Sequence, residues 1–227
     1  MLRQIIQAYR TYGMMVEVEG LIRKMFGVAK NIFSASSMAL LEQKELDFDL
    51  YARDREINDL VVDIRKKLVE HLNISTSHSV GGELVFLKVI TDIERVGDYS
   101  KNILDLAKLL KEPFTQKAYY KILKDLLPLM ESFFDKSEHA LFDGAVDEAT
   151  DVIQGHLKVN QVCEKLLEDL ISDEEVKAPE GIALALTARY FKRVSSHLKN
   201  VASTAVNPFP HIGYMNPEEP VVPEKKK

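Results

Sequence analysis

Along the first two hundred residues, apolar side chains advance by alternating steps of three and four, the spacing that keeps one helix face against a core. The clearest run is Phe86, Val89, Ile93, Val96, Ser100, Ile103 and Ala107. A shift of 98 positions lays these on Leu184, Thr187, Phe191, Val194, Leu198, Val201 and Ala205 without a gap. Off the seam, the same shift matches Arg95 with Arg193, Lys101 with Lys199 and Asn102 with Asn200. A shift of 102 lays Ile57 and Asn58 on Val159 and Asn160. Self-similarity over about a hundred residues marks an internal duplication.

Helix breakers are few, and five of the eight prolines follow Asn207, so long helices are expected before that point. The first helix is predicted from the N-terminus to about Lys44, with Gly13 and Gly20 as the places where it would be interrupted. The second runs from Leu46 to Leu72. A cluster of capping and turn residues at 73–82 leads into the third, which ends at Lys111. After a turn at Pro113, a fourth runs from Thr115 to Phe142, with a kink or a late start at Pro128. Asp143-Gly144 marks a turn before the fifth, Ala145 to Ile171. Pro179 lies at the opening of the sixth, which is expected to reach Val206. The predicted fold is all-α: an elongated six-helix bundle of two three-helix repeats, about 1–111 and 115–206, forming one domain over 1–206. A proline-rich tail follows at 207–227. Phe209, Ile212 and Tyr214 are expected to fold back on the bundle, and the last ten residues to be flexible.

Composition narrows the function classes. A formal charge of -5 argues against binding nucleic acid through bulk electrostatics, since neutralising phosphates needs a basic surface. No apolar run approaches the roughly 18 residues of a membrane span. The N-terminus carries Arg3 and Arg10 within its apolar pattern and does not read as a signal peptide. Cys163 is the single cysteine, which precludes an intrachain disulfide and suits a reducing, cytoplasmic setting. Its surroundings mark it as a small core or boundary residue rather than a nucleophile.

The candidate chemistry lies on the third helix. Glu94 and Asp98, four residues apart, share one face, opposite the seam and so expected to be exposed. A like-charge pair at that spacing costs an isolated helix about 0.2–0.5 kcal/mol unless a cation answers it, so a metal ion or Lys101 is expected nearby. Asp54, with Asp59 and Asp63, offers further oxygens from the second helix, a donor set suited to hard cations or iron. In the second half Lys192 and Ser196 stand at the matching positions, and His156 stands where Asp54 stood. A second equivalent metal cluster is therefore not expected. His156 and His197 read as surface or boundary residues rather than as ligands.

The segment Glu94-Arg-Val-Gly-Asp-Tyr-Ser-Lys-Asn-Ile103 resembles the motif of the PhoU-like phosphate-uptake regulators, which recurs on the last helix of each three-helix repeat. The resemblance extends over about residues 20–206 and includes the duplication and the pattern from Asp54 to Asn58. It implies a non-enzymatic regulator of phosphate uptake and phosphate-responsive signalling. Its partners would be the ATPase of a phosphate ABC transporter and a sensor histidine kinase, and homodimers would form. It also implies bound iron, zinc or another divalent metal, with no organic cofactor; by position the metal residues are Glu94 and Asp98, with Asp54 as a third. The competing reading is a divalent-metal-binding or buffering helical protein without a transport role. An enzyme has least support: the chain has no Gly-rich phosphate loop, no nucleophile beside a base and no His-x-x-x-His pair.

Overall fold

The computed structural model describes residues 2–74, 80–110 and 112–214, with side chains from Gly13 onward. These residues form six α-helices and no strand: α1 (Leu2–Glu42), α2 (Leu50–Ile74), α3 (Gly81–Leu109), α4 (Lys117–Asp143), α5 (Val146–Ser172) and α6 (Ala178–Ala202). In the first half α1 packs on α2 and α3; in the second, α6 packs on α4 and α5. The halves meet through α3 against α6 and α1 against α4. The predicted seam is the buried stripe: Val89, Ile93, Val96, Ser100 and Ile103 on α3, and Leu184 through Val201 on α6, have at most 1% of their surface exposed. Phe33 of α1 joins the halves, with its ring centroid 5.7 Å from Phe134 and 5.6 Å from Phe191.

Several element ends differ from expectation for local physical reasons. α1 runs unbroken through Gly13 and Gly20, where a side chain would meet nothing. α2 begins four residues late because Asp49 caps it, its Oδ1 accepting the backbone N–H of Tyr51 at 2.9 Å and of Ala52 at 3.2 Å. α4 starts at Lys117 and continues through Pro128, which lies on the exposed side, where water can take the carbonyl that the ring leaves unpaired. Gly144 ends α4 with φ +65°, the left-handed conformation that glycine adopts without strain. The predicted end of the third helix at Lys111, residues 75–79 of the turn cluster before it and the last ten residues lie outside the described residues.

α6 stops at Ala202 instead of Val206. The chain tightens into a 3-10 turn, Ser203–Ala205, and a second at Phe209–His211. Ser203 Oγ accepts the Gly213 N–H at 2.8 Å, and the Asn207 amide donates to the carbonyls of His211 and Tyr214, both at 3.1 Å. Of the three tail residues expected to fold back, Ile212 is buried, whereas Phe209 and Tyr214 stay exposed.

Candidate functional site

Gly97 sets the geometry of the acidic face. A Cβ there would stand 3.0 Å from Ile57 Cδ1 and 3.7 Å from Asp54 Oδ1, so its absence lets α2 come close to α3. That approach carries Asp54 to Lys101, whose Nζ lies 2.8 Å from Asp54 Oδ2 and 3.5 Å from Asp98 Oδ1. Arg95 lies 3.7 Å from Asp98, and Arg65 reaches from α2 to within 3.8 Å of Glu94. Glu94 and Asp98 are half-buried rather than fully exposed, and Asp54 is buried. The hydrogen bond with Asp54, helped by the charge of Asp98, outweighs burial and raises the pKa of Lys101.

All three carboxylates expected to hold metal thus face a cation of the chain itself. Asp59 and Asp63 are exposed, and Asp63 faces Lys66 at 3.7 Å. Among the described residues, no group of three or more His, Cys, Asp or Glu side chains is placed to hold a metal ion. With the Lys101 ammonium between Asp54 and Asp98, the arrangement does not fit a resident metal.

The matching face of the second repeat has different chemistry. His156 Nδ1 lies 2.9 Å from Ser195 Oγ, and its Nε2 lies 3.4 Å from the Asn160 amide. These partners suit a neutral ring with the proton on Nδ1. Burial, reinforced by the charges of Lys199 and Lys192, lowers the His156 pKa to about 4. Lys192 is held by Glu164 at 2.7 Å. Lys199, the counterpart of Lys101, is buried and donates to the Gly213 carbonyl of the folded-back tail. Burial lowers its pKa, against the attraction of Asp92.

Asp92 of α3 is a carboxylate with three hydrogen-bonding partners. It is buried at the α3–α6 contact, where Oδ1 accepts from His197 Nδ1 at 2.8 Å and from the Asn200 amide at 3.0 Å, while Lys88 holds Oδ2. Burial pushes its pKa up, but the hydrogen bonds from His197, Lys88 and Asn200 prevail and hold it below the usual carboxylate value. Beside it, Tyr99 stacks on His197 at 5.7 Å and accepts from Arg193 Nε at 3.0 Å. A signal was present in the sequence: Asp92 follows Val89 by three and precedes Val96 by four, so it shares their buried side. Cys163 lies in the core as expected, and burial pushes its thiol up to about 12.

A family model described as the PhoU domain matches this chain twice, over residues 22–107 and 123–205. A phosphate-specific transport system accessory protein PhoU homolog of Deinococcus radiodurans is 26% identical over 189 residues, which cover 78% of this chain and 86% of that protein. A protein of the same description from Clostridium acetobutylicum is 19% identical over 186 residues, covering 78% and 83%. The crystal structure of PhoU from Pseudomonas aeruginosa superposes with a TM-score of 0.66 at 17% identity, covering 88% of this chain and 96% of its own. The phosphate transport system regulatory protein PhoU from Streptococcus pneumoniae gives 0.69, also at 17% identity, covering 85% and 95%. These two structures establish the likeness of fold.

Proposed function

Because this chain belongs to the PhoU domain family, we propose that it is a non-enzymatic regulator of phosphate uptake and phosphate-responsive signalling. It acts in the cytoplasm as a helical adaptor on the ATPase of a phosphate transporter, on a sensor histidine kinase, or on both, and it works as a homodimer. The observation that carries this reading is the double match of the family model, one copy in each half of the bundle. The curated relatives, described as accessory proteins of phosphate-specific transport, support it. The chemistry of the described residues agrees with an adaptor: the one thiol is buried and held protonated, His156 is enclosed and neutral, and the carboxylates of the acidic face are paired with cations.

Binding of the purified chain to the phosphate-transporter ATPase and to the phosphate-responsive kinase of its own genome tests the adaptor role. A complex with at least one of them by size-exclusion chromatography and calorimetry is expected. Failure to bind either would remove the reading.

A further inference from the structure

Resemblance leads to the expectation of a metal on the acidic face, and the geometry of that face disagrees. Three carboxylates and three cations are assembled there: Asp54 with Lys101, Asp98 with Lys101 and Arg95, and Glu94 with Arg65. The cations come from two helices, Arg65 from α2 and the other two from α3. We infer that this face carries its own cations in place of a metal, with the Lys101 ammonium seated where a divalent ion would bridge Asp54 and Asp98.

Competition for the same oxygens favours the ammonium. A hard divalent ion seeks about six oxygens, and here it would have to share two carboxylates with a lysine already 2.8 Å from one of them. Lys101 is part of the fold rather than a loose surface chain, because only 28% of its side chain is exposed. The second repeat is closed in a related way: Lys192 replaces the acid at the position of Glu94 and is held by Glu164 at 2.7 Å. In each repeat an ammonium of the chain thus occupies the matching face, although a metal was expected on the first alone. This inference rests on the geometry alone and stands apart from the phosphate reading.

The full chain, purified without chelator and dialysed against manganese, ferrous iron or zinc, provides the test. Wild type is expected to retain sub-stoichiometric metal by elemental analysis and to show the same melting temperature with and without chelator. A full equivalent of metal that disappears in Glu94→Gln/Asp98→Asn would overturn the inference. Lys101→Met keeps the length of the side chain and removes its charge, so it is expected to bind the divalent ion about tenfold tighter or more, a gain of about 1.4 kcal/mol. Asp98→Asn added to that variant should abolish the gain. Lys101→Gln serves the same purpose if circular dichroism shows Lys101→Met misfolded. A folded variant of either kind that binds metal no better than wild type would also overturn the inference.

Discussion

At matching positions the two repeats meet the same packing requirement with opposite chemistry. Where the first has Asp54, Gly97 and Lys101, the second has His156, Ser195 and Lys199. In the first, glycine draws the helices together and an ion pair forms between them. In the second, a neutral imidazole bonds a hydroxyl, and the lysine donates to the Gly213 carbonyl. The folded-back tail is thus tied to the second repeat by an ammonium that has no equivalent partner within its own three helices. Duplication has kept the apolar seam, which fixes the fold, while the polar positions beside it diverged in charge.

The contact that joins the two repeats should be the most sensitive point. Asp92→Ala removes the carboxylate shared by Lys88, His197 and Asn200, and each largely buried donor left unpaired, His197 first, costs about 1–3 kcal/mol. A fall in the denaturant midpoint at constant slope would show it, and Asp92→Asn should lose less because it can still hydrogen-bond. A loss within that of ordinary surface substitutions would mean that the repeats are joined by their apolar seam alone.

His156 sets the repeats apart by pH. Its folded pKa of about 4 lies below the ordinary 6.5, so the unfolded chain binds the extra proton first. Its contribution is complete above about pH 6.5 and is lost as pH falls toward about 4, with an upper bound of about 3 kcal/mol. Unfolding measured across that window should show stability declining on acidification, and His156→Gln should flatten the decline. An unchanged slope in the variant would remove His156 as the titrating group.

A smaller effect is expected at Gly155, whose added Cβ would come within 2.5 Å of Phe133 Cζ in the core. Overpacking there should cost Gly155→Ala about 1–3 kcal/mol, read as a lower melting temperature. The first repeat has Arg53 at the corresponding position, exposed and free of that constraint. The smallest effect belongs to Glu94→Gln, because Arg65 and Glu94 stand 3.8 Å apart with 49% and 31% of their side chains exposed. Its stability should stay within about 0.5 kcal/mol of wild type.

These contrasts mark what was legible in the chain. The seam could be read because helical periodicity is local, and every position from Val89 to Ile103 and from Leu184 to Val201 on it is buried. Glu94, Asp98 and Asp54 were placed on the right helices, and Lys101 was foreseen as an answering cation. Arg65 reaching across from α2 was not, because contacts between helices depend on relative rotation, which no spacing rule supplies. The spacing of Asp92 puts it beside the seam, but its worth depends on His197 and Asn200, a hundred residues away. The early end of α6 was missed for a similar reason, since it rests on Ser203, Asn207 and Gly213 meeting in three dimensions.

Phosphate uptake in cells of the source organism lacking this protein addresses the central claim most directly. Uptake in phosphate-rich medium is predicted to rise when the protein is absent and to return to the normal rate when the wild-type chain is restored. Uptake and the phosphate-starvation response that remain unchanged in its absence would contradict the account.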